Sequence, residues 1–151
     1  VYPYLNPYND QFRQQQKLVN DIKQAINGEF SAVQCYAALA KLAPNEAGSK
    51  QILEIREDES KHLQQFMQIY SRLTGQKAQP KVSESCPNQY IEGLEAALKD
   101  EQHTVDFYLT ISDETNNQYI KEIFRRAAAD EQQHAVWFLY YFTKQMTRLR
   151  Y

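Results

Sequence analysis

Glycine and proline are scarce in this chain. Four glycines and five prolines among 151 residues leave too few turn formers for an all-β fold, and abundant Gln, Ala, Leu, Glu and Lys favour helix. Long apolar runs are lacking too. The longest, residues 135–142, is far shorter than the roughly 20 residues a membrane span needs. The opening Val1-Tyr2-Pro3-Tyr4 has neither a basic nor an apolar leader pattern. No membrane association is expected, and a cytoplasmic location follows. Charge of one sign is not in excess: a net charge of -2 and a pI near 5.9 give no long-range attraction to nucleic acid or anionic lipid. Cysteine is limited to Cys35, in a helical pattern, and Cys86, in a loop. These two make neither a disulfide framework nor a CxxC metal site, and they fit a reducing compartment. With 42% hydrophobic residues, residues 1–151 suffice for one domain with a real core and are too few for two.

What the sequence does have is a repeat. Asp130-Glu131-Gln132-Gln133-His134 echoes Asp58-Glu59-Ser60-Lys61-His62, 72 positions earlier. The same offset lays Glu29 on Glu101, Tyr36 on Tyr108, Ala25 on Ala97, Val33 on Val105 and Phe66 on Phe138. This is an internal duplication of a helical hairpin, and it predicts a pseudo-twofold axis where the repeated polar residues meet.

Residues 1–13, with Pro3, Pro7 and the aromatics Tyr2, Tyr4, Tyr8 and Phe12, read as an extended arm that packs elsewhere. From residue 14 the apolar positions Leu18, Ile22, Ala25, Ala32, Leu39 and Ala43 keep an alternating three-and-four spacing into which Glu29 and Tyr36 fit. Pro44-Asn45 ends that helix. A second helix carries Ile52, Ile55, Phe66, Ile69 and Leu73, with Glu59 and His62 in register, and Gly75 stops it. Glu29 and Glu59 are each about 15 residues from the turn, so an antiparallel hairpin over 14–74 brings them level, roughly 22 Å from its tip. Residues 75–88 read as a crossover without regular structure; about 13 extended residues reach at most about 45 Å, enough to return along the bundle. In residues 89–151 a third helix carries Tyr90, Leu94, Ala97, Val105, Tyr108 and Ile111 with Glu101, up to a break at Ser112-Asp113-Glu114-Thr115. A fourth carries Ile120, Phe124, Ala127, Phe138 and Tyr141 with Glu131 and His134. Two hairpins joined by a long crossover make an all-α, ferritin-like four-helix bundle.

Six ionisable residues, Glu29, Glu59, His62, Glu101, Glu131 and His134, thus fall on apolar seams at one level, where each uncompensated charge costs several kcal/mol. Two divalent cations would balance four carboxylates, with two neutral imidazoles completing the set. Oxygen donors with imidazole suit iron, then manganese, and tolerate zinc; a metal-free polar network would need partly protonated carboxyls. His103 lies about 200° around the helix from Glu101 and is expected at the surface, as are Glu54, Glu57, Glu92 and Glu95.

With these residues the chain resembles the ferritin-like di-iron carboxylate superfamily, in particular its rubrerythrin and bacterioferritin branches, over about residues 14–150. The resemblance implies that Glu59 and Glu131 bridge two irons, that Glu29 and Glu101 each bind one, and that His62 and His134 sit at opposite ends. It also implies a non-haem di-iron oxidoreductase of the rubrerythrin type acting on peroxide or oxygen. The alternatives are a ferroxidase or iron-handling protein, or a structural metal bundle without turnover. Departures qualify the match. Thr104 stands where rubrerythrins usually carry an extra Glu, and no rubredoxin-type CxxC knuckles occur, so a separate protein is expected to donate electrons. Ser60 replaces the haem-binding Met of bacterioferritins, so no haem is expected, and the short fifth helix of shell-forming ferritins is not seen.

Two further expectations concern neighbours of the site. A residue one step before a ligand is rotated about 100° toward the adjacent helix. Asp58 is therefore expected to accept the free ring N–H of His134, and Asp130 that of His62. Tyr36 and Tyr108, two turns past Glu29 and Glu101, are expected to donate to carboxylates across the bundle. Finally, residues 137–142 are apolar on every face of the fourth helix, which predicts a homodimer.

Overall fold

The computed structural model describes residues 6–150. Its helices are α1 (Pro7–Leu42), α2 (Glu46–Thr74), α3 (Tyr90–Glu114) and α4 (Gln118–Arg148), with no strand among the described residues. α1 packs along α2 and α3 along α4, and residues 75–89 join the two hairpins without regular structure. This is the all-α ferritin-like bundle that the periodicity predicts.

Local chemistry sets the helix ends. The Asn45 side chain accepts from Gly48 N at 2.8 Å and that of Asn117 from Ile120 N at 3.1 Å, each satisfying an N–H that the first turn leaves open. Gly75 ends α2 at φ 70°, a left-handed conformation that side chains with a Cβ rarely adopt. The break placed at residues 112–115 comes later, because α3 runs to Glu114. Ser112 Oγ then donates to the Lys121 carbonyl at 2.8 Å, and Lys121 Nζ to the Ser112 carbonyl at 2.6 Å.

Two expectations are corrected. Residues 7–13, taken as extended arm, are the first turns of α1. Asn6 caps them by accepting from Tyr8 N at 3.1 Å, and Pro7 sits where its missing N–H costs nothing. Tyr8 and Phe12 remain 81% and 70% exposed instead of packing. The rest of the expected arm, residues 1–5, lies outside the described residues. The second correction concerns the cysteines, which form a Cys35–Cys86 disulfide. The crossover returns alongside α1 and brings Cys86 to Cys35, a pairing across 51 positions that one isolated pair does not announce. The pair therefore no longer argues for a reducing compartment. No helix among the described residues is long and apolar enough to cross a membrane.

The interior divides into two apolar clusters. Ile22, Ile26, Phe66, Ile69, Tyr108, Ile111 and Phe124 form one, and Tyr36, Leu39, Ile52, Ile55, Leu94 and Phe138 the other. Along every helix the change from one cluster to the other falls at Glu29, Glu59–His62, Glu101 or Glu131–His134. The 72-residue offset exchanges the clusters: the Tyr36 and Phe138 rings lie 5.0 Å apart and their counterparts Tyr108 and Phe66 5.2 Å apart. A pseudo-twofold axis thus crosses the bundle at the charged layer.

Candidate metal centre

All six predicted residues meet in that layer, each no more than 3% exposed. They fall into two donor sets: Glu29, Glu59, His62 and Glu131, and Glu59, Glu101, Glu131 and His134. Glu59 and Glu131 belong to both. The imidazoles face the middle through Nδ1. His62 Nδ1 lies 3.1 Å from Glu131, 3.2 Å from Glu59 and 3.4 Å from Glu29. His134 Nδ1 lies 2.7 Å from Glu59 Oε1 and 3.6 Å from Glu101 Oε2.

The outer ring nitrogens meet the aspartates of the opposite hairpin. His62 Nε2 is 3.0 Å from Asp130 Oδ2, and His134 Nε2 is 3.1 Å from Asp58 Oδ2. Burial alone would raise the Asp130 pKa, but the His62 hydrogen bond and the His62 and Arg126 charges hold it below its ordinary value. An ionised Asp130 can only accept, so His62 Nε2 carries a proton and Nδ1 is the ring nitrogen turned inward. Tyr36 donates to Glu101 Oε1 at 2.7 Å, and Tyr108 donates to Glu29 Oε1. Burial, and then the neighbouring carboxylates, push both phenols well above their ordinary pKa, so they stay protonated donors.

The sequence pattern did not single out Arg126, whose Nε lies 3.1 Å from Asp130 Oδ1. The signal was an ordinary four-residue helical spacing, which by itself reads as surface pairing. His103 is exposed, as are Glu54, Glu57, Glu92 and Glu95.

Without cations this layer is left with buried polar atoms lacking hydrogen bonds: Glu59 Oε1, Glu101 Oε2, Glu131 Oε1 and His134 Nδ1. The 2.7 Å approach of His134 Nδ1 to Glu59 Oε1 is an ion-pair distance without hydrogen-bond geometry. Buried groups are normally satisfied, so four orphans converging on one point mark a place built for something else. A mixed set of hard oxygens and imidazole, with no thiolate, fits divalent iron or manganese.

Protons otherwise fill the role. Burial, then Glu29 and Glu101, push Glu59 well above the carboxylate range; burial, then Glu59, Glu101 and Glu29, do the same to Glu131. Burial opposes charge on the histidines, yet the surrounding carboxylates prevail. His62 is pushed far up, chiefly by Asp130 and Glu131, and His134 is raised to about 9, chiefly by Glu101. Glu101 moves the other way. Burial would raise it, but the adjoining His134, with Glu131 and the Tyr36 hydrogen bond, holds it below its ordinary value.

The rubrerythrin family model matches residues 20–90 and 92–150, which contain all six cluster residues. The chain belongs to the rubrerythrin family. With that family come the ferritin-like di-iron carboxylate superfamily and a candidate carboxylate–histidine metal site. The chain is 53% identical to the uncharacterized protein YhjR of Bacillus subtilis (strain 168) over 140 residues, 93% of this chain and 94% of that one. Its fold is similar to a hypothetical protein from Pyrococcus furiosus, with TM-score 0.76, 21% identity, and 86% and 90% of the two chains covered. It is also similar to the Desulfovibrio desulfuricans bacterioferritin, a structure described as showing its diiron site in different catalytic states. That match has TM-score 0.75 and 18% identity, covering 87% of this chain and 81% of the other.

Two expectations follow. Cations compete with the protons on the inward donors, and His134 is protonated below about pH 9. Its proton must leave for Nδ1 to bind an ion, so affinity should rise as the pH climbs toward about 9, with protons released on loading. Titration calorimetry in buffers of different ionisation enthalpy measures both; flat affinity without proton release would contradict the competition. In addition, Asp130→Asn should weaken metal affinity on the order of 10- to 100-fold in a bundle that stays helical by circular dichroism. Unchanged affinity would remove Asp130 from the metal-binding role.

Proposed function

We propose that this chain is a non-haem di-iron oxidoreductase that reduces peroxide or oxygen, with electrons from a separate donor protein. The observation that carries the reading is the pair of donor sets sharing Glu59 and Glu131, with Glu29, Glu101 and Glu131 lining a cavity of about 580 Å³ between α1 and α3. Glu59 and Glu131, common to both donor sets, would serve both ions, Glu29 with His62 would hold one, and Glu101 with His134 would hold the other. Iron at these positions would supply two electrons which, with two protons, convert a peroxide into two waters.

The chain's own residues do the rest. Tyr36 occupies Glu101 Oε1 and leaves Oε2 facing His134 Nδ1, so the phenol fixes which oxygen is offered inward. Tyr108 holds Glu29 differently, donating to Oε1, the oxygen that also lies 3.4 Å from His62 Nδ1. Asp58 and Asp130 hold the imidazoles from outside, on the α2–α4 side, and the α1–α3 cavity, which reaches Glu29, Glu101 and Glu131, is the route for a small oxidant. Thr104 Oγ1 donates to the Asp100 carbonyl at 2.8 Å. Position 104 thus carries no carboxylate, so no ligand exchange occurs there.

The test is metal analysis followed by stopped-flow oxidation of freshly reduced protein. About two irons per chain, fast oxidation by stoichiometric peroxide and slow reaction with oxygen support the reading. Multi-turnover Fe(II) oxidation by oxygen with a mineral core would replace it by ferroxidase activity, and bound metal without turnover by a structural role.

We also propose a homodimer. Val136, Leu139, Tyr140 and Met146 form a stripe along the outer side of α4, from 38% to 63% exposed, that one bundle does not cover. Sedimentation equilibrium at micromolar concentration should give twice the chain mass, and a monomer would count against the dimer.

A further inference from the structure

The crossover is fastened to one line of α1. Asn27, Ser31 and Cys35 are four residues apart, so they rise one turn at a time on a single side of the helix. Each holds one crossover residue. Lys81 N donates to Asn27 Oδ1 at 2.9 Å, Ser83 N donates to Ser31 Oγ at 2.8 Å, and Cys86 is bonded to Cys35. Lower down, Ala78 is buried in the cluster around Ile22 and Phe66. Residues 78–86 therefore climb α1 as a strap.

The strap is also a wall of the cavity. Ser83, Glu84 and Pro87 line it together with Cys35, above Glu29 and Glu101. The opposite wall is α3, through Asp100, His103 and Thr104. The pseudo-twofold axis would call for a second strap there, but the chain has one crossover. Of the three ties, only the uppermost answers to redox chemistry. Among the described residues no hydrogen bond joins 84–88 to α1, so above Ser83 the disulfide is what holds the strap to that helix. Cys86 is exposed and Cys35 half-buried, so Cys86 is the half of the disulfide that an external thiolate meets first.

We propose that Cys35–Cys86 is a reversible redox site, reduced by an external dithiol, whose state sets how readily solutes pass the strap to the carboxylate–histidine cluster. In reduction a thiolate of the dithiol attacks Cys86 Sγ, the Cys35–Cys86 bond breaks, and Cys35 leaves as a thiolate. The second thiol of the reductant then displaces Cys86, so the reductant departs as a disulfide and the protein gains two electrons and two protons. In the reverse direction peroxide oxidises one thiolate to a sulfenic acid, and the other thiol displaces water to restore the bond. Slower passage under peroxide and faster passage under a dithiol would couple access to the same oxidant assigned to the centre. This inference rests on the proposed function only in taking the cavity as the route to bound metal.

The experiment uses metal-loaded full-length chain prepared without reductant. Free thiols are counted under native conditions before and after dithiothreitol, and the rate at which a ferrous-chelating dye strips the iron is measured with hydrogen exchange over residues 84–89. Expected are no thiols before and two after, stripping faster on the order of tenfold, and faster exchange confined to that segment. Cys86→Ser and Cys35→Ser should strip at the fast rate with or without dithiothreitol. Thiols that appear only after denaturation, or stripping and exchange indifferent to reduction and to both variants, would overturn the proposal. A chain that binds no metal at all is a different outcome: it refutes the proposed function, while the thiol count and hydrogen exchange still decide the redox site.

Discussion

Four carboxylates and two imidazoles are buried at mid-height of a bundle otherwise packed with Ile, Leu, Phe and Ala. Uncompensated, each buried charge costs several kcal/mol, comparable with the whole stability of a domain of this size. The rest of the architecture answers this constraint. The apolar core is split into two clusters because the layer interrupts it on every helix at the same height. Tyrosines and aspartates placed around the layer satisfy its outward-facing atoms, while the orphaned atoms all face inward. An arrangement that satisfies everything except one convergent point is what a cation site requires, and a plain buried polar network would not leave it open.

The duplication explains how so many partners come into place. Each half contributes groups that complete the other: Tyr36 reaches Glu101, Tyr108 reaches Glu29, Asp58 reaches His134 and Asp130 reaches His62. Neither half supplies these partners to its own ligands, so the site is complete only where the two hairpins are docked. That reciprocity accounts for the tightness of the layer, since a small shift of one hairpin would disturb four hydrogen bonds at once.

Much of this was legible because helices translate spacing into direction. Glu and His three residues apart share a face, and a repeat of that pair at a fixed offset is hard to produce by surface composition alone. The misreadings have physical reasons. Pro7 reads as a breaker from sequence, yet at a capped helix start its missing N–H is no loss, so α1 begins earlier than the composition suggests. Cys35 and Cys86 had no pairing signal because their approach depends on the path of the crossover. Reach, which sequence does provide, says how far such a segment extends and nothing about which helix it follows.

The crossover is also the one element that a duplication of hairpins cannot repeat. Two copies need a single connection, so a symmetric site must be served by an asymmetric approach. On the α2–α4 side the symmetry is kept, with an aspartate behind each imidazole. On the α1–α3 side it is broken: Ser31 and Cys35 bind the strap, whereas the positions related to them by the repeat are His103 and Phe107, which line the cavity without a strap. The two donor sets are alike in their residues and unlike in what lies above them.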